Sequence, residues 1–255
     1  MAPRERLRLL HTSDIHLGAE VRQQCGEHRA GCICPILALR DLVVEKGADA
    51  LLIAGDLFDH GRIKPAMAQD VFEVLAGLDV PVALLPGNHD VHDDDGLYRR
   101  YRSHVDEAGV VLLDDAAGSG TTLLDGSLHL WGRAMDEHSP KFRPLDAPPE
   151  RSTDEWYVVM AHGHYVAGGE KDPDWMIRSS PITPAHVDAT GADYVALGHW
   201  HRLCPLAEAC VPAWYAGTPS STYAPGTAIL VELEHGKPAA VEPLSVTAPA
   251  AGCAA

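Results

Sequence analysis

The chain has 255 residues, 46% of them hydrophobic and 22% charged, enough to bury a substantial core. Its net charge of −16 argues against tight, unassisted binding to a polyanion such as duplex DNA, which is normally met by a basic surface. Mean hydropathy is −0.09, and no apolar run is long enough to span a bilayer. The basic start, Met1 to Leu10, lacks the apolar stretch and cleavage site of a secretory leader. A cytoplasmic protein is therefore expected, with its six cysteines as free thiols.

In chain order, Arg8 to Thr12 reads as a strand. Ile33 to Lys46 has helical spacing and stops at Gly47, a C-cap candidate. Ala50 to Ala54 is a short, fully apolar strand. Pro65 opens a helix that gathers Met67, Val71, Val74, Leu75 and Leu78 near one face. Val82 to Leu85 is a third strand. A helix around Gly96 to Ala108 leads to a strand over Val110 to Leu113. Thr121 to Leu124 and Leu128 to Trp131 flank Asp125-Gly126, a hairpin signal.

A Pro-rich connection from Gly132 to Glu155 reads as a long loop. The strand Trp156 to Ala161, a short helix after Thr183-Pro184 and the strand Tyr194 to Leu197 follow. The remainder reads as β: a strand over Ala213 to Gly217, then a hairpin of Thr227 to Glu234 and Ala239 to Val246 around His235-Gly236. The expected architecture is α/β, with two sheets and outer helices. Residues 1–246 are expected to form one domain, with a disordered tail from Thr247 and no full capping domain.

The chemistry sits where these strands end. They run into Asp14-Ile15-His16, Gly55-Asp56-Leu57-Phe58-Asp59, Gly87-Asn88-His89-Asp90, His162-Gly163-His164 and Gly198-His199-Trp200-His201. Loops leaving the carboxyl ends of strands converge in one crevice of an open α/β sheet. Carboxylates with imidazoles suit Mn²⁺, Fe or Zn²⁺ better than Ca²⁺. So many ligands exceed the needs of one ion and suit two divalent ions, a pairing that clamps the oxygens of an in-line displacement at phosphorus.

Asp-x-His, Gly-Asp-x-x-Asp, Gly-Asn-His-Asp, a strand-end His and Gly-His-x-His, in this order from Leu9 to Pro219, resemble the signatures of calcineurin-like metallophosphoesterases. The resemblance implies a four-layer αββα sandwich of two mixed β-sheets flanked by helices. It implies a first metal on Asp14, His16, Asp56 and His201. A second would lie on Asp56, Asn88, His162 and His199, with Asp56 shared. It implies a hydroxide between the metals as nucleophile and His89 as proton donor to the leaving oxygen, with Asp90 or Asp59 orienting a histidine.

His11 to Gly18, Gly55 to Asp59, Ala196 to His199 and Tyr215 to Pro219 further resemble one branch of that family, the bacterial SbcD-type exonucleases and their Mre11-like DNA repair relatives. That resemblance implies a manganese-dependent phosphodiesterase acting on DNA with a coiled-coil ATPase partner. A phosphomonoesterase or nucleotide hydrolase using the same metals is the alternative, with Arg62, Arg133, Lys141 and Arg202 as candidate phosphate-binding cations. A scaffold without catalysis is disfavoured because His89 and every inferred ligand are present.

His164 is balanced between substrate contact and solvent. His60 and Asp93 to Asp95 read as solvated loop. Cys25, His28, Cys32 and Cys34 have the residue types of a Cys₃His zinc site, but the one-residue gap of Cys32-x-Cys34 favours plain thiols.

Overall fold

The structure is a computed structural model that describes residues 4–19, 32–151, 155–167, 180–220 and 225–247. Its elements are β1 (Arg6–Thr12), α1 (Cys34–Lys46), β2 (Ala50–Ala54), α2 (Pro65–Ala76), β3 (Val82–Leu85), α3 (Leu97–Arg100), α4 (Arg102–Glu107) and β4 (Val111–Leu112). These are followed by β5 (Ser119–Leu123), β6 (Leu128–Gly132), β7 (Trp156–His162), β8 (His164–Tyr165), β9 (Pro181–Ile182) and α5 (Pro184–Asp188). The chain continues with β10 (Tyr194–Gly198), β11 (Leu203–Pro205), β12 (Ala213–Ala216), β13 (Gly226–Glu234) and β14 (Ala240–Val246).

The strands build two mixed sheets. One runs β14-β13-β1-β2-β3-β4, the other β11-β12-β10-β7-β6-β5, and β8 pairs with β9 alone. In the first sheet β1 to β4 are parallel, and the C-terminal hairpin adds to β1 antiparallel. In the second, β6, β7, β10 and β12 are parallel. Strands β2, β7 and β10 are buried along their whole length, as central parallel strands covered on both faces must be.

Three apolar layers follow from this stacking. Ile36, Leu39, Val71 and Phe72 of α1 and α2 pack on Leu10, Leu51 and Leu84 of the first sheet. Leu9, Leu52 and Leu85 face Val158, Met160 and Ala196 between the sheets. Val159, Val195 and Tyr215 on the outer face of the second sheet meet Val187 of α5 and Leu145. This is the expected sandwich of two mixed sheets flanked by helices.

The boundaries follow local chemistry. Pro35 and Pro65 sit in the first turns of α1 and α2, and Gly47 ends α1 at φ 56°, a left-handed cap. Thr183 caps α5 through a capping box with His186.

Several expectations are corrected. The helix expected over 96–108 is broken at Tyr101, at φ −106° and ψ 26°, whose hydroxyl donates to the Ile63 carbonyl at 2.8 Å. The hairpin at Asp125-Gly126 uses a wider 3-10 turn, Leu124–Gly126, because Leu124 and Asp125 both adopt positive φ. Strands β8, β9 and β11 are additions, too short to give a sequence period.

Cys34 is disulfide-bonded, which corrects the expectation of free thiols there. Several cysteines packed into one short stretch hold thiols at high local concentration, which favours pairing. Cys204 and Cys210 carry thiols. Cys25 and His28 lie outside the described residues, as does the expected tail beyond Thr247. Among the described residues no helix is long and apolar enough to cross a membrane.

Candidate metal centre

The loops after β1 and β2 continue the pairing of those strands. Asp14, His16 and Leu17 N–H donate to the Gly55, Asp56 and Leu57 carbonyls, each at 3.0 Å, and Leu17 bridges Phe58. From the second sheet, Thr218 Oγ1 donates to the Asp14 carbonyl at 2.7 Å and Ser220 Oγ to the Ile15 carbonyl at 2.6 Å. Held from both sides, Asp14, His16, Asp56 and His199 take positive φ values of 52°, 50°, 55° and 107°. Such conformations cost about 1–3 kcal/mol each in non-glycine residues and persist where the surroundings enforce them.

These side chains meet in two groups that share one carboxylate. On one side, His16 Nε2 lies 3.0 Å from His201 Nε2, 3.9 Å from Asp14 Oδ1 and 3.8 Å from Asp56 Oδ2. His201 Nε2 lies 3.6 Å from Asp14 Oδ1. On the other side, His162 Nε2 is 3.3 Å from Asp56 Oδ2 and 2.9 Å from Asn88 Oδ1. His199 Nδ1 is also 2.9 Å from Asn88 Oδ1. Asp14 with His16 and His201, and Asp14 with Asp56 and His162, each bring ligand atoms within 4.8 Å of one another.

The donor set fits cations. His162 Nδ1 sits 2.9 Å from the Ala54 carbonyl, which only accepts, so that nitrogen carries a proton. Neutral His162 then aims the Nε2 lone pair at the oxygens of Asn88 and Asp56, an arrangement that needs positive charge between them. In the apo protein a proton fills that need. Burial lowers the His162 pKa, but the Asp56 and Asp14 charges outweigh it and raise it to about 9. A bound metal would displace that proton.

Burial works against the Asp56 anion too, yet His162 and His16 hold its carboxyl well below the usual range. Asp14 moves the opposite way. It is fully buried, and that desolvation, with repulsion from Asp56, outweighs the attraction of His162. Burial, reinforced by His162, lowers His199 to about 3, keeping its imidazole neutral and able to ligate.

His89 stands beside the first group, its ring 4.5 Å from that of His16. Its Nδ1 donates to the Asp59 carbonyl at 2.7 Å, which leaves Nε2 for a substrate. The Asp59 carboxylate lies 3.2 Å from His16 Nδ1, an ion-pair distance without aligned hydrogen-bond geometry, and 3.6 Å from His89 Nδ1.

Asp90 departs from expectation. It contacts no histidine among the described residues. Oδ1 accepts from Gly87 N–H at 2.8 Å and Asp56 N–H at 3.3 Å, and Oδ2 from Phe58 N–H at 3.1 Å and the Tyr98 hydroxyl at 2.5 Å. It ties the two ligand loops together instead of touching a reacting atom.

Arg133, a candidate phosphate-binding cation, is otherwise engaged. It donates to the Ala116 and Arg143 carbonyls and lies over the Phe142 ring. His164 accepts from Trp200 Nε1 at 3.2 Å, its ring 6.2 Å from that of His199. Tyr98 and His138 belong to no motif, so sequence reasoning missed both. Only an aromatic at a helix start and a lone histidine in a Pro-rich loop hinted at them.

Residues 7–203 match the calcineurin-like phosphoesterase family. The chain is 28% identical over 247 residues to the SbcD component of the SbcCD nuclease of Bacillus subtilis (strain 168), covering 84% of this chain and 61% of that protein. It is 25% identical to the DNA double-strand break repair protein Mre11 of Aeropyrum pernix, covering 91% of this chain and 59% of that one. The chain thus spans about three-fifths of the length of these curated relatives. Among solved structures, TT1561 of Thermus thermophilus shares the fold at a TM-score of 0.63 and 14% identity, over 94% of this chain and 99% of that one. With the family match spanning most of the chain and its motifs gathered at one end of both sheets, this protein belongs to the calcineurin-like phosphoesterase family.

Proposed function

We propose that this protein is a dinuclear, metal-dependent phosphodiesterase. The observation that carries the reading is the Asp56 carboxylate set between two groups of ligands, 3.8 Å from His16 and 3.3 Å from His162. Asp14, His16, Asp56 and His201 would hold one divalent ion. Asp56, Asn88, His162 and His199 would hold the other. The mixed oxygen and imidazole donors suit Mn²⁺ first, with Fe and Zn²⁺ as substitutes. Bound there, the pair supplies a water acidified toward neutral pH and positive charge for the phosphoryl oxygens.

The chain's own residues do the rest. Asp56 and Asp90 fix the spacing of the loops. Asp59 sets the His89 tautomer, so that Nε2 faces the leaving oxygen and delivers a proton as the ester bond breaks. DNA is the proposed diester, because the relatives matched over most of the chain are named as a nuclease component and a break-repair protein. A coiled-coil ATPase is the proposed partner and would offset the unfavourable net charge of −16. That same charge favours a second reading, hydrolysis of a small phosphodiester or nucleotide with no extended polyanion bound.

The test is a panel of metal-stripped protein reloaded with Mn²⁺. Substrates are a generic aryl diester, an aryl monoester, cyclic nucleotides, and single- and double-stranded DNA. Diester cleavage is expected to depend on added Mn²⁺ and to fall about 10²–10⁴-fold in His89→Ala. Unchanged turnover in that variant would remove His89 from the chemistry. Cleavage of monoesters alone would overturn the diesterase reading.

A further inference from the structure

The segment 133–151 after β6 has no regular structure, yet it is tethered near its start. His92 N–H donates to the Met135 carbonyl at 2.8 Å, and Arg133 Nη1 donates to the Arg143 carbonyl at 2.9 Å, closing the segment on itself. Ser180 Oγ donates to the Ser139 carbonyl at 3.5 Å. These anchors bracket His138. Its ring centroid lies 6.1 Å from that of His199, and the charges of His162, Asp56 and His89 all bear on it.

His138 is exposed, and no hydrogen bond ties its imidazole to the described residues. It belongs to none of the groups whose ligand atoms close on one point. Two imidazoles outside the ligand set therefore flank the centre. His89 stands beside His16 on one side, and His138 beside His199 on the other.

We infer that His138 is a substrate-contacting residue, placed across the centre from His89, whose imidazole N–H donates to an oxygen of the bound phosphodiester. This rests on the phosphodiesterase reading above. The chemistry is selective. An uncharged donor suits the single negative charge of a diester, whereas a dianionic monoester calls for a full cation at that position. Tethering also matters, because a donor on a pinned segment loses little conformational freedom when the substrate arrives.

The experiment compares Mn²⁺-loaded wild type, His138→Ala and His138→Gln on bis(p-nitrophenyl) phosphate and on p-nitrophenyl phosphate. Calorimetry of Mn²⁺ binding to the apo proteins and of inorganic phosphate binding to the loaded ones accompanies it. In His138→Ala, kcat/KM for the diester and phosphate affinity are expected to fall about tenfold, the scale of one lost hydrogen bond. Mn²⁺ affinity should stay unchanged, and His138→Gln should recover part of the loss.

Unaltered diester kinetics and phosphate affinity in His138→Ala would overturn the assignment. So would a loss of Mn²⁺ affinity, which would make His138 a ligand. If wild-type protein leaves the diester intact, the functional reading fails by itself. The phosphate-binding comparison then still decides whether His138 meets the substrate.

Discussion

Asp90 shows how a single buried carboxylate organises a site without joining its chemistry. Burial and repulsion from Asp56 raise its pKa to about 6, and it is held by three backbone N–H groups and the Tyr98 hydroxyl. Those N–H groups belong to Asp56, Phe58 and Gly87, so one side chain spaces the loop bearing the shared carboxylate from the loop bearing Asn88 and His89. Tyr98 is itself fully buried and supplies the only side-chain donor in this set. Removing that hydroxyl in Tyr98→Phe leaves the shape of the core intact but takes about 1.5 kcal/mol from a charge-assisted bond. Mn²⁺ affinity is expected to fall about tenfold, read by calorimetry on the apo protein. A variant that melts earlier yet binds Mn²⁺ as tightly as wild type would make Tyr98 a packing residue only.

At the scale of elements, the ligands were legible because strand and chemistry coincide. Each apolar run of β1, β2, β3, β7 and β10 ends in a polar cluster, and parallel pairing then brings those ends together. What stayed illegible depends on partners distant in the chain. The break between α3 and α4 answers to Ile63, the Asp90 contacts answer to backbone donors over thirty residues away, and His138 gains meaning only from the fold of 133–151. The disulfide at Cys34 was missed for a different reason, because spacing reports which thiols are near in sequence and nothing of their oxidation state.

Glycine placement connects the two levels. Gly55, at φ 92°, ends β2 just before Asp56, and a Cβ there would run into the His162 ring of the opposite sheet. Gly55→Ala is therefore expected to push the two sheets' ligands apart, adding roughly 1–3 kcal/mol of backbone strain before any contact is counted. The variant should retain its far-ultraviolet circular dichroism while losing Mn²⁺ binding and diester cleavage together. Retention of metal affinity near the wild-type value would mean that the sheets are free to separate without disturbing the centre.

Across the whole molecule, the apolar layer between the sheets contains one polar pair directly behind the metal centre. His11 follows Leu7 and Leu9 on the inward face of β1, and its Nδ1 lies 3.0 Å from the hydroxyl of Tyr194 on β10. Both residues are fully buried. Burial lowers His11 to about 3 from the ordinary 6.5, opposed only by the Leu197 backbone. The sign of the linkage follows. The folded state resists protonation that the unfolded chain accepts, so the stability is fully present above pH 6.5 and drains away as the pH falls toward 3. One pKa unit corresponds to about 1.4 kcal/mol, so lowering the pH from roughly 7.5 to 5.5 should cost the wild type about 1.4 kcal/mol through this residue. His11→Gln keeps a partner for Tyr194 and does not titrate. Its denaturant-derived stability, measured on metal-free protein, should therefore fall less than that of the wild type over the same interval. Parallel pH profiles for the two proteins would show that His11 is not held neutral between the sheets. The centre would then be supported by a layer more open to water than its packing implies.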